Sequence, residues 1–239
     1  MSKTRKQFFW TSIILGMAAG MTGCVKGGSP VTVSPISYVS VMNEAPYGVP
    51  VDIYFNGTLV SPAGGIAPGQ YSSAYGSLKP GNYTVEFKKT GTDSVVYQLP
   101  ASNYDTSAFY TLILYNVNAD STAVQAAKIQ DDFSQVTASS AYYRFFNLSP
   151  DVPGANLSLN DQVAQNNRTP ADNVLTSAAY DAFMPLAGGT YTIHVENAAT
   201  DSVLASLPQT ALHSGDVYTI FLAGTLKSGL SVNVLQAVY

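Results

Sequence analysis

The chain has 239 residues and a formal net charge of −4, with 11% charged, 46% hydrophobic and 11% aromatic residues. So little charge, and no basic excess, argues against nucleic acid, which needs Lys and Arg to displace its counterions. One cysteine excludes an intramolecular disulfide, so each domain must bury an adequate apolar core unaided.

Residues 1–23 read as a secretion signal. Lys3, Arg5 and Lys6 precede an apolar run from Phe8 to Met21, and Met21-Thr22-Gly23 leads into Cys24. This is a lipobox-like site, at which Cys24 would be acylated and become the first residue of the mature chain. Met21 and Thr22 stand where the commonest lipobox has Leu and then Ser or Ala. The run is shorter than the roughly 20 residues a spanning helix needs. An uncleaved N-terminal anchor and an ordinary thiol after normal cleavage are the alternatives. The expected partner is therefore the membrane, through acylated Cys24, and the expected place is a bacterial cell envelope. Without residues 1–23, 216 of the 239 residues remain. Their 8 basic residues, 3 fewer than the full 11, face 15 acids, for a net charge of −7.

Residues 24–35 form a lipidated tether, with Val25-Lys26-Gly27-Gly28-Ser29-Pro30 flexible by composition. Beyond it the sequence repeats. Asn43-Glu44-Ala45-Pro46 returns as Asn147-Leu148-Ser149-Pro150, and Val51 to Asn56 returns as Ala155 to Asn160, both at an offset of 104. Gly81-Asn82-Tyr83-Thr84-Val85-Glu86 returns as Gly189-Thr190-Tyr191-Thr192-Ile193-His194, now at 108. Thr92-Asp93-Ser94-Val95 recurs unchanged at 200–203, and Tyr110-Thr111-Leu112-Ile113 recurs as Tyr218-Thr219-Ile220-Phe221. The four extra residues lie between Asn160 and Gly189, with 161–172 the expected insertion. A period near a hundred residues means tandem domains rather than a solenoid. The boundaries are 36–134 and 138–239, with a polar link near Asp132–Ser140.

Each copy reads as strands. Val49 to Phe55 alternates and ends at Asn56-Gly57, a hairpin dipeptide. Tyr83, Val85 and Phe87 face inward, as do Tyr191, Ile193 and Val195. Phe109–Tyr115 and Val217–Ala223 are nearly continuous apolar runs, expected to be strands buried on both faces. About seven short strands per copy predict an all-β fold: two tandem antiparallel immunoglobulin-like β-sandwiches. A small barrel is the alternative. Tyr110 and Tyr218 each follow a polar turn and could close a corner through the hydroxyl.

The paired segments resemble the domain of unknown function DUF4397, often duplicated in exported lipoproteins of Bacteroidota. The resemblance rests on Asn43 to Pro46 with Asn147 to Pro150, on Asn56 and Asn160, and on the turns into Tyr83-Thr84-Val85 and Tyr191-Thr192-Ile193. Tyr110-Thr111 and Tyr218-Thr219 complete the set. It implies a β-sandwich on the cell envelope and brings no catalytic residues.

No catalytic constellation, metal site or cofactor motif is expected. His194 occupies an outward strand slot with no acid beside it, and His213 lies in a polar turn. Neither has a Cys or a second His at metal spacing. No Gly-x-Ser-x-Gly or phosphate loop occurs. Glu44, Glu86 and Glu196 are the only glutamates, and Glu86 and Glu196 are out of register between copies, so no acid pair forms. Asp131-Asp132 reads as a solvated linker, with a bridging Ca²⁺ as the alternative. Tyr71, Tyr75, Tyr97, Tyr104, Tyr142, Tyr143 and Tyr180 fall near strand ends or loops, where tyrosines either pack edges or offer a contact surface. Asp-Ser-Val at Ser94 and Ser202, and more loosely Asp-Ser-Thr at Ser121, resemble O-glycosylation acceptors of Bacteroidota; turn chemistry explains them equally. These features lead to the expectation of a non-catalytic envelope lipoprotein that contacts a protein or glycan. The alternative is an accessory saccharide-binding subunit of an outer-membrane uptake complex.

Overall fold

Residues 34–72, 74–119, 123–174 and 178–239 are described by the computed structural model of the chain, and strands dominate them. The first half contains β1 (Ser37–Glu44), β2 (Val51–Phe55), β3 (Thr58–Leu59), β4 (Gln70–Tyr71), β5 (Gly76–Leu78), β6 (Gly81–Lys89), β7 (Val95–Tyr104), β8 (Phe109–Asn116) and β9 (Val124–Asp131). They form two sheets, β3-β2-β6-β7 and β4-β1-β8-β9, with β5 also pairing β1. The second half contains β10 (Ala141–Asn147), β11 (Ala155–Leu159), β12 (Gln162–Arg168), a 3-10 turn (Pro170–Val174), α1 (Ala178–Asp181), β13 (Met184–Leu186), β14 (Gly189–Asn197), β15 (Val203–Leu212), β16 (Val217–Thr225) and β17 (Gly229–Gln236). Its sheets, β12-β11-β14-β15 and β13-β10-β16-β17, repeat the pairing scheme of the first half.

The chain is all-β and sandwich-like, but its sheets are not wholly antiparallel. β1 runs parallel to β8, and β10 runs parallel to β16. Alternation fixes which face a side chain takes and is blind to strand direction. A parallel neighbour needs a long crossover. Here the chain travels through the opposite sheet between β1 and β8, which supplies it.

Three apolar clusters set the order of the layers. One lies between the two sheets of the first half, with Ile53, Phe55, Val85 and Phe87 against Leu112 and Leu114. A second does the same in the second half, with Leu157, Ile193 and Val195 against Phe145, Ile220 and Leu222. The third joins the halves: Met42, Ile113, Tyr115, Ala127 and Ile129 meet Phe146, Leu148, Phe221 and Ala223. The sheets holding β8 and β16 are therefore covered on both faces, as their nearly continuous apolar sequences predict. Even the alternation is visible: Leu112 and Leu114 turn to one core, Ile113 and Tyr115 to the other.

The third core joins like to like. Met42 and Phe146 are equivalent at offset 104, and Ile113 and Phe221 at 108. The two copies use the same face, as in an isologous dimer. The segment between them is held as well. Phe133 stacks on Tyr239, with centroids 4.0 Å apart, and contacts Phe109 and Phe183. A sequence that looks like a polar link is thus pinned by an aromatic ring.

The repeated motifs act as fasteners. The Asn43 carboxamide donates to the Ile66 carbonyl (2.8 Å), and that of Asn147 donates to the Val152 and Arg168 carbonyls (2.8 and 3.0 Å). Asn56 and Asn160 take positive φ (47° and 51°) and each accepts from a strand N–H, at Thr84 and Thr192 (both 2.9 Å). Asparagine tolerates that left-handed turn conformation better than most residues. The Tyr110 hydroxyl accepts from the Asp105 N–H (3.0 Å) and that of Tyr218 from the His213 N–H (2.9 Å), closing both corners. The four-residue insertion appears as a longer edge strand and added helical turns: β12 spans seven residues where β3 spans two.

The shared core makes a prediction about fragments. Residues 36–134 alone would uncover Met42, Ile113, Tyr115 and Ile129, all now buried. Each fully buried side chain of this kind is worth about 1.5–3 kcal/mol. Fragments 36–134 and 138–239 should each self-associate, and when mixed should form a 1:1 complex. Sedimentation of the separate and mixed fragments checks this; two stable monomers that ignore each other would contradict it.

Candidate functional site

The seam between the halves holds a cluster of buried polar groups. Arg144, on β10, is 1% exposed and lies among groups from both copies. Its Nη1 donates to Asp131 Oδ1, its Nη2 to Thr111 Oγ1 (3.3 Å), and its Nε to Thr219 Oγ1 (3.0 Å). Asp131 Oδ2 also accepts from Thr111 Oγ1 (2.6 Å) and from the Tyr75 hydroxyl (2.7 Å). Burial and the Asp131 carboxylate push the Tyr75 phenol well above its ordinary pKa. These contacts overturn the solvated-linker reading for Asp131, which ends β9 with its side chain 0% exposed. Asp132 alone points outward, where hydrogen bonds from Ser134 lower its carboxyl pKa. The neighbouring Arg168 is also buried, over the Tyr180 ring at 4.5 Å and 3.8 Å from Asp172.

Arg144 and Asp131 leave no buried side-chain atom without a hydrogen bond, whereas Arg168 Nε and Nη2 are buried without one; the Arg144–Asp131 geometry is that of a structural clamp. A cleft beside it differs in kind. It has a volume of about 280 Å³ and is lined by Glu44 and Tyr71 from the first half and by Ala223, Gly224, Ser231 and Asn233 from the second. Glu44 closes β1 and is 4% exposed. Its Oε1 is buried without a hydrogen-bond partner in the protein. Desolvation raises its pKa from 4.5 to about 7. Among the lining residues only Tyr71 is otherwise titratable, so no cation there compensates the burial. Tyr71 is 39% exposed and is braced edge-on against Phe221, with centroids 5.8 Å apart. Asn233 Nδ2 donates to Ser231 Oγ at 3.1 Å. At Gly224 (φ +88°) an added Cβ would come within 2.2 Å of the Gly229 carbonyl, so this wall cannot carry a side chain without moving.

Sequence reasoning passed over Glu44, although the repeat contains the signal. Its counterpart is Leu148, 0% exposed in the shared core. An acid that replaces leucine at the end of a buried strand is the anomaly that alignment of the two copies exposes.

The remaining candidates fall elsewhere. Cys24 and Ser121 lie outside the described residues. Ser94 and Ser202 occupy exposed turns, where the Lys89 and Asn197 N–H groups close the loop onto their carbonyls. Of the seven tyrosines singled out, Tyr104, Tyr142 and Tyr143 are buried, and only Tyr71 is exposed. His213 is exposed. His194 is outward, but its surroundings differ from expectation. Its Nδ1 lies 2.7 Å from Ser206 Oγ, and its Nε2 lies 3.6 Å from Asp161 Oδ1. Strand pairing opposes His194 to Ser206, and the β11–β12 turn brings up Asp161, a contact distant in sequence register. Ser, His and Asp do meet, yet on an open sheet face: the Asp161 side chain is 87% exposed, and Ser206 lies on β15, the edge strand of its sheet. Nucleophilic catalysis needs preorganised donors in a water-excluded site where the oxyanion forms, and an open sheet face excludes no water.

Two measurements test the seam. Arg144→Met should cost about 3–5 kcal/mol, because Asp131 would stay buried without its partner. Adding Asp131→Leu should recover much of that loss in urea titrations. For Glu44, a folded pKa above the unfolded value means full stability below pH 4.5, lost as pH rises through 7. The gap corresponds to about 3 kcal/mol. Glu44→Gln should flatten that decline between pH 5 and 8, and Glu44→Leu should raise stability at pH 8. An unchanged pH profile in Glu44→Gln would show the carboxyl to be solvated.

No curated protein matches the chain. The profile of the domain of unknown function DUF4397 matches residues 37–158, from β1 through most of β11, so it covers the first copy and enters the second. The fasteners at Asn43, Asn56 and Tyr110 all lie within that stretch, and this chain belongs to the DUF4397 family.

Proposed function

We propose that this protein is a non-catalytic binding lipoprotein of the bacterial cell envelope. Its two halves act as tandem immunoglobulin-like sandwiches fused through their inner sheets, and acylated Cys24 with the 24–35 tether holds them at a membrane, in our reading the outer membrane. The observation that carries the binding role is the cleft around Glu44. It draws its walls from both halves, and it keeps a buried carboxyl that the fold does not require. Ligand sites favour such junctions, with a few polar groups in a mainly apolar wall.

Tyr71 favours a saccharide over a flat protein surface as the occupant. A half-exposed ring beside Ser231, Asn233 and Glu44 offers an apolar platform with hydroxyl-directed groups around it. Against catalysis stands the open setting of His194. Among the described residues no group of three His, Cys, Asp or Glu is placed to hold a metal. Ser94 and Ser202, on exposed turns, and Ser121 serve in this reading as glycan acceptors.

The anchor and the binding role separate in one experiment. Cys24→Ala should release the protein from the membrane fraction while leaving saccharide binding intact on a glycan array. Tyr71→Ala should keep the protein on the membrane and reduce array binding at least tenfold. A Cys24→Ala variant that still sediments with membranes would overturn the lipid anchor, and unchanged array binding by Tyr71→Ala would overturn the cleft.

A further inference from the structure

We infer that the cleft at the seam recognises a primary ammonium group carried by a small sugar, that is, an amino sugar, with Glu44 as the counter-charge. The inference rests on the saccharide reading above and adds the chemistry that selects among sugars.

Three observations lead there. The first is the orphaned oxygen. Glu44 Oε1 is buried and has no hydrogen-bond partner in the protein, and the residue contributes to the lining of the cleft. A buried polar atom without a partner costs about 1–3 kcal/mol, and such atoms in native folds call for a reason. The second is the internal control. Leu148 fills the equivalent position in the other copy and is fully buried there. The fold accepts leucine at that site, so packing is not the reason for a carboxyl. The third is the charge balance. The lining holds one acid and no Lys, Arg or His, so the missing complement is positive.

The geometry then narrows the cation. Metal coordination would need several oxygen or nitrogen ligands, and the lining offers a single carboxylate. An ammonium is a compact donor that one oxygen can hold, and its hydrogen bond to a carboxylate is roughly twice as strong as a neutral one. The volume, about 280 Å³, is just below the roughly 300–1,000 Å³ of sites for drug-sized ligands, which suits a single ring. Tyr71 presents a face to that ring, and Ser231 and Asn233 meet its hydroxyls. Binding would draw the Glu44 proton off, since a cation beside a carboxyl favours its charged form. Affinity should therefore rise with pH until the amine itself loses its proton.

Calorimetric titration of the detergent-solubilised full chain with glucosamine, glucose and N-acetylglucosamine tests this. Glucosamine should bind at least tenfold more tightly than either neutral sugar, and more tightly at pH 7.5 than at pH 5.5. Glu44→Gln, which keeps the shape and removes the charge, should abolish that preference, and a thermal melt should show the variant folded. Tyr71→Ala should weaken all three sugars alike. If the three sugars bind equally and Glu44→Gln changes nothing, the ammonium inference is overturned and the saccharide reading stands. If no sugar binds, the saccharide reading falls and the inference with it. If methylammonium binds as tightly as glucosamine and depends on Glu44, the sugar part is overturned. A response to CaCl₂ that displaces glucosamine would overturn the assignment to an organic cation.

Discussion

Arg144 paired with Asp131 is the contact on which the join between the halves turns. Both side chains are removed from water, which is favourable only when each lone pair and proton finds a partner. Here the partners are supplied twice over by the duplication, because Thr111 and Thr219 occupy equivalent positions in the two copies and both accept from the same guanidinium. The Tyr75 hydroxyl completes the carboxylate shell. Around this polar centre the third core seals the remaining surface, and the aromatic contacts of Phe133 close the side where the chain passes between the halves.

The same centre explains why the copies could not remain identical. The position equivalent to Arg144 is Ser40. With like faces in contact, two arginines would meet across the seam and repel in a buried setting. One copy therefore keeps the cation and the other a small hydroxyl, which bonds Ser72 instead (3.1 Å). Specific pairing of a lone charge also fixes the register of one sheet on the other, a task that apolar contacts alone perform weakly.

Much of this architecture could be read from the sequence. Period-two alternation marked the inward faces of β6 and β14, and the nearly continuous apolar runs at β8 and β16 marked strands covered on both sides, because each signal is local. Tyr110 and Tyr218 were legible for the same reason: the turn each closes is five residues away. What escaped is nonlocal. The parallel pairing of β1 with β8 depends on where the chain has been between them. The burial of Asp131 depends on an arginine thirteen residues on and on a second sheet. The approach of Ser206 and Asp161 to His194 depends on two different strand pairings. For Tyr104 and Tyr143, the position near a strand end left packing and a contact surface both open, and burial was decided by the sheet packed opposite.

The candidate site was hidden for a different reason. Family motifs stand out in a sequence because they recur, and in this chain the recurring residues are those that hold loops and corners: Asn43 and Asn147, Asn56 and Asn160, Tyr110 and Tyr218. Whatever both copies need is by that fact a requirement of the fold. A function that belongs to the pair as a whole is best carried by residues that one copy has and the other lacks, since the two halves line this cleft with different positions of the repeat. Glu44 against Leu148 is such a difference, and it runs against stability, because an acid stands where an apolar side chain packs without cost. Duplication thus separates the two demands: agreement between the copies marks what the fold requires, and costly disagreement marks where a ligand is to be sought.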